Sequence, residues 1–177
     1  MQNFISWLGQ SAIAQAIQVS GWMFPTIESV HVLAISLVVG VIAIMDLRLL
    51  GLASGTRAVT AVSRDTLPWV WAAFAIAVIS GLLMFVSNAE TYYGNRAFLI
   101  KMVLIVLAGI NMLVFELITF RSVAQWDRNV SLPITAKVAA ALSLSLWIGV
   151  IVFGRLIGFT LNFFSAGDAS QYLTTLP

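Results

Sequence analysis

Four long apolar runs set the pattern of the chain, and short polar stretches part them. The runs cover Thr26 to Leu50, Leu67 to Asn88, Asn95 to Phe120 and Ile134 to Phe159. Each is long enough, at 1.5 Å rise per residue, to cross roughly 30 Å of hydrocarbon as an α-helix. Pro25 and Pro68 stand where two of the runs begin, a position that suits a helix start because the first N–H groups have no partner within the helix. Ahead of the first run, Ile5, Leu8, Ala12 and Ala16 recur at helical spacing, interleaved with Gln10, Gln15 and Gln18. That stretch is too interrupted to span and predicts a helix lying at the membrane interface, with Trp7 and Trp22 at headgroup level. The predicted organisation is an interfacial helix over residues 1–24, a four-span bundle over 25–159 and a surface tail over 160–177. The predicted fold is an all-α integral membrane four-helix bundle with this extra helix.

Composition agrees with the pattern. Apolar residues make up 60% of the 177 and charged residues only 9%, against about a quarter in a soluble domain. A net charge of +2 is too small to argue for nucleic acid. With no cysteine, the chain has no disulfide, thiolate metal site or cysteine nucleophile. The first 27 residues carry no charge, so the N-terminus reads as mature chain and not as a signal peptide with its positive leading segment. Arg48, Arg57 and Arg64 flank the first connection and Arg121, Arg128 and Lys137 the third, whereas only Arg96 lies in the second. The positive-inside rule then places the first and third connections in the cytoplasm and both termini outside, in a bacterial inner membrane.

Polar residues inside the spans are the candidates for chemistry, because charge in hydrocarbon is costly and usually faces a partner or a cavity. The third run holds Lys101, Asn111 and Glu116. His31 and Lys101 each lie about six residues into a span entering from the outer side, so their depths match. Glu28, three residues before His31, shares its helix face. Arg155 and Met84 fall near the same level. A neutral imidazole is a common metal ligand, and a lysine can ligate as a free amine. A His and a Lys on neighbouring helices could thus hold a planar, metal-centred macrocycle, with Arg155 meeting a propionate. The same residues also admit a purely structural reading, with Lys101 and Arg155 snorkelling and Glu28 fixing helix register.

Nearer the inner face stand Asp46, Arg48 and Glu116. The favoured reading has Arg48 snorkelling to the headgroups and Asp46 capping or pairing across helices. A proton or cation path joining Glu116 and Asn111 to the outer cluster of Glu28, His31, Met84, Lys101 and Arg155 is the alternative. Asn111 itself reads as an interhelical hydrogen bond. Gly154 and Gly158 form a GxxxG pair, with Gly149 nearby, that suits close helix approach within the bundle or in a homo-oligomer.

The stretches FPTIESVHVLAISLVVGVIAIMDLRLLGL and YYGNRAFLIKMVLIVLAGIN resemble a family of uncharacterised bacterial four-helix membrane proteins. His31-Val32, followed by Gly40 and Arg48-Leu49, is more distantly similar to the first helix of the membrane-bound protoporphyrinogen oxidases that carry a b-type haem. The proposed axial ligands of that family have counterparts at His31 and Lys101. TYYGNRAFLIKMVL is similar to the third helix of the CopD copper-resistance proteins. The oxidase pattern has a Leu-Pro-Arg where this chain reads MDLRLL, and this chain has a single histidine. The resemblance implies haem b between the helices, ligated by His31 and Lys101, with Glu28 supporting, Arg155 as charge partner and Met84 beside them. A redox or haem-related role, including a membrane oxidoreductase, is then expected. A cofactor-free small transporter and an accessory subunit of a larger membrane complex are the other two readings.

Overall fold

The computed structural model describes residues 2–53, 57–127 and 132–173, with side chains from 3 to 160 within those ranges. The fold is all-α, with no strand among the described residues. Two short helices, α1 (Gln2–Gly9) and α2 (Ala12–Val19), lead into α3 (Met23–Leu50). Then come α4 (Val59–Ser87), a one-turn α5 (Ala89–Tyr93), α6 (Arg96–Val114) and α7 (Ile134–Leu173). Beyond Val114 the third span continues as a π-helical turn, Phe115–Thr119, and a 3-10 segment, Phe120–Gln125. Four helices are long and apolar enough to cross a membrane: Met23–Leu50, Val59–Ser87, Arg96–Gln125 and Ile134–Thr160.

These spans do not form a closed square. α4 packs along α3, α6 packs along α7, and α3 and α7 join the two pairs, whereas α4 and α6 barely meet. The core at mid-bundle is Val38, Ala73, Ala108, Leu146, Trp147 and Val150. Large residues such as Leu33, Ile79, Val103, Leu113 and Ile148 are exposed on the outer faces, as lipid-facing positions should be.

One end of the bundle carries α1, α2 and α5 and is called here the capped end. The single interfacial helix expected over the first 24 residues is two helices, because the chain breaks at Gln10–Ser11 and restarts. Ser11 caps α2 by accepting a hydrogen bond from the Ala14 N–H. Ile5, Ala14 and Ile17 are buried, while Trp7 and Trp22 are exposed, 64% and 70%, as residues at headgroup level would be. Two hydrogen bonds pin the pair: the Ser6 hydroxyl donates to Glu90 Oε1 at 2.7 Å, and the Gln18 amide donates to the Ser87 carbonyl.

The opposite, looped end holds the connections after α3 and α6. Gly51 closes α3 in the left-handed region (φ 77°), where a Cβ is disfavoured, and Leu52 N–H returns to the Leu47 carbonyl. α4 begins at Val59, eight residues ahead of the start that Pro68 suggests, and Pro68 lies inside the helix. Packing and capping override the proline there. Val59 and Val62 are buried, and Val59 joins the cluster of Leu49, Trp126, Leu132, Ala136 and Ala140. Both Asp127 carboxylate oxygens accept from Thr60, one from its N–H and one from its hydroxyl, each at 2.8 Å. The Val59 N–H donates to the Asp127 carbonyl. Asp127→Ala is therefore expected to lower unfolding free energy by about 1–3 kcal/mol, the size of a lost charged cap. Reversible SDS titration in mixed micelles measures it, and an unchanged midpoint would remove the cap from the account.

Arg48 departs from the snorkelling expected of it. It is 1% exposed, with Nε donating to the Arg57 carbonyl at 2.8 Å, so its guanidinium is folded under the first connection and does not reach outward. The surface placement expected for the tail over 160–177 lies largely outside the described side chains; the α7 backbone is helical to Leu173.

Candidate functional site

His31 sits on α3 with its ring turned toward α4. Its Nδ1 is 3.0 Å from the Ala77 carbonyl oxygen and 3.0 Å from Ser80 Oγ. A carbonyl only accepts, so Nδ1 carries the proton in the neutral ring. Ser80 agrees, since its hydroxyl donates to the Ile76 carbonyl at 2.7 Å and its oxygen is left to accept. The remaining nitrogen, Nε2, then bears the lone pair. The ring can lie so close to α4 because position 81 is glycine; a Cβ there would stand 3.0 Å from His31 Cε1.

Lys101 extends from α6 toward α7. Its aliphatic stem crosses Gly154 of α7, where a Cβ would meet Cε and Nζ at 3.7 Å. It is half-buried and close enough to His31 for the two to interact electrostatically, and no carboxylate of the described residues forms an ion pair with it. One turn earlier on α6, Phe98 stacks on Phe85 (5.5 Å between ring centroids) and tilts against Tyr92 (5.6 Å). This aromatic cluster closes the capped end together with Ala97, Phe153 and Ile157.

His31 thus lies against α4 and the Lys101 stem against Gly154 of α7, near enough to interact electrostatically. Glu28 is exposed and faces Tyr92, whose phenol burial, and then the Glu28 carboxylate, push above its ordinary range. Arg155 is exposed and lies over the Phe159 ring at 5.6 Å. Met84 is half-buried, and no hydrogen bond or ion pair joins any of the three side chains to the His–Lys pair among the described residues. Ala77, Ser80 and Gly81, which position the imidazole, are missing from the sequence reading. The Ser-Gly step inside an otherwise apolar run was the available signal.

Toward the looped end, α4 and α6 diverge and leave a cavity of about 550 Å³ between them, floored by α3 and α7. Asp46, Asn111 and Glu116 all line it, whereas His31 and Lys101 do not. Asn111 makes the interhelical bond expected of it, Nδ2 to the Ala139 carbonyl at 3.0 Å. Gly154 serves packing within the chain, and a Cβ at Gly158 would meet nothing within 4 Å.

Four apolar spans with an amphipathic helical pair laid across one end define a multi-pass membrane protein. More particularly, the chain belongs to the family of unknown function DUF6644, whose model matches residues 4–160. No curated protein and no solved structure matches it. The likeness to the haem-bearing oxidases and to CopD therefore rests on the quoted motifs alone.

Proposed function

We propose that this protein holds a b-type haem near the capped end of the bundle and serves a redox or haem-related role in a bacterial inner membrane. The carrying observation is the His31 ring: the Nδ1–H···O=C bond to Ala77 fixes the tautomer and leaves Nε2 as a metal-capable lone pair. Lys101, without an ionic partner among the described residues, is the second ligand. The donor set suits a macrocycle better than a bare ion. No group of three His, Cys, Asp or Glu capable of holding a metal occurs among the described residues. A porphyrin brings four nitrogens of its own and asks the protein for only one or two axial ligands.

When bound, haem would supply one-electron transfer. The chain's own part is to orient the imidazole through Ala77 and Ser80, a task the sequence reading gave to Glu28. It also shields the site with Phe85, Tyr92 and Phe98. Arg155, next to the glycine that carries the Lys101 stem, offers a charge to a propionate. The distribution of Lys and Arg supports a looped end in the cytoplasm and a capped end outside.

The test is the visible spectrum of protein purified from haem-replete cells, oxidised and reduced. A near-stoichiometric Soret band is expected, abolished by His31→Ala. Lys101→Leu should keep the haem but convert a six-coordinate, low-spin spectrum to a five-coordinate, high-spin one. A flat wild-type spectrum, or equal haem in His31→Ala, overturns the reading. The cofactor-free reading, a polar path through Glu28, Lys101, Asn111 and Glu116, would then take its place; of these, Asn111 and Glu116 share a cavity.

A further inference from the structure

The cavity between α4 and α6 carries an inference that does not depend on haem. At about 550 Å³ it has the size of a small-ligand site. Its lining on α3 runs from Val38 to Leu49, about 16 Å along the axis at 1.5 Å per residue. Because α4 and α6 barely meet, it opens sideways, toward lipid. Its walls are largely apolar and include Trp71, Phe74, Phe115 and Trp147.

Some donors of the lining are already spent within the chain. The Thr66 hydroxyl donates to the Val62 carbonyl at 2.8 Å and Asn111 Nδ2 to the Ala139 carbonyl, and Ser143 lies beside Asp46. Asp46 is 5% exposed, yet its Oδ2 has no hydrogen-bond partner among the described residues. A buried carboxylate oxygen without a donor is costly, which favours a ligand able to donate to it. Glu116 adds a second carboxylate, from the π-helical turn, and such turns occur frequently at functional sites. Among the described residues, no Lys, Arg or His lines the cavity. Such a lining disfavours fatty acids and lipid phosphates. It favours an apolar body bearing one cationic donor, and aromatic walls accept cations well.

We infer that this lateral cavity binds a membrane-dissolved amine, a lipophilic molecule whose protonated nitrogen donates to Asp46 while its apolar part lies along α3.

Tritiated dodecylamine, titrated onto the full chain in zwitterionic nanodiscs with empty discs subtracted, tests this. Saturable binding is expected, displaced by unlabelled dodecylamine and about tenfold or more less effectively by dodecanol or dodecanoate. Asp46→Asn should weaken amine binding about tenfold or more and leave that of dodecanol unchanged. Gly109→Phe is the second variant: Gly109 lines the cavity and a Cβ there meets nothing within 4 Å, so the ring fills the space without a first clash. It should abolish saturable binding whether or not Asp46→Asn folds. Absence of saturable binding, equal displacement by dodecanol, or full amine binding in Gly109→Phe overturns the inference. The Soret band of the same samples reports the haem reading separately, since His31 and Lys101 lie outside this cavity.

Discussion

Gly81→Leu is expected to lower haem occupancy about tenfold or more while the bundle stays folded, a loss worth about 1.4 kcal/mol per decade. The argument is steric. A Cβ at position 81 would already press on His31 Cε1 at 3.0 Å, and the rest of a leucine side chain needs the volume the ring occupies. The imidazole cannot simply swing away, because that would break its bonds to Ala77 and Ser80. Leucine is a better helix former than glycine by up to about 1 kcal/mol, so α4 itself should not weaken. Gly109→Leu is the matched control, since a Cβ there meets open space. Soret absorbance against protein concentration, with circular dichroism for helicity, decides the matter. Unchanged haem in Gly81→Leu would show that the imidazole does not need this seat.

The largest effect on stability is expected from Trp126→Ala, about 3–5 kcal/mol. Trp126 is 6% exposed although it lies in the connection after the third span. It fills the looped end against Leu49, Val59, Leu132, Ala136 and Ala140, and its indole N–H donates to the Ser122 hydroxyl at 3.0 Å. Truncation would empty a space bounded by three different spans, and these backbones cannot all close in to refill it. Such a loss is a large part of the few kcal/mol that keep most proteins folded. SDS titration in mixed micelles should show it as a shifted midpoint. A change below about 1 kcal/mol would mean that the looped end repacks freely. Trp126→Phe, which keeps most of the volume, should recover the greater part.

The spans were legible because bilayer thickness demands long unbroken apolar runs, and the chain has four. The expectation that His31 and Lys101 share a depth is counted from the same runs, since two helices entering from one side advance equally per residue. The partner of the imidazole could not be counted. The rotation of α3 against α4 depends on which small residues let the helices close, and neither Ser80 nor Gly81 declares in sequence that it faces another span. The start of α4 was hidden for a related reason. Pro68 signals a boundary locally, but Val59 and Thr60 find their partners in the connection after α6, beyond any local window. Arg48 misleads in the same way: an arginine near a span end normally reaches the headgroups, and only the folded first connection shows the carbonyl that draws it inward.

The grip of Asp127 on Thr60 also has a consequence for biosynthesis. The two residues are 67 positions apart. At about 5–20 residues per second, roughly 3 to 13 s pass between their syntheses. Through that interval the second span has entered the translocon while its leading turns wait uncapped at the membrane surface. The latch can close only when the third span is in place. Nascent chains halted before residue 127 should therefore leave the segment around Val59–Leu67 open to protease, and chains extended past it should protect the same segment.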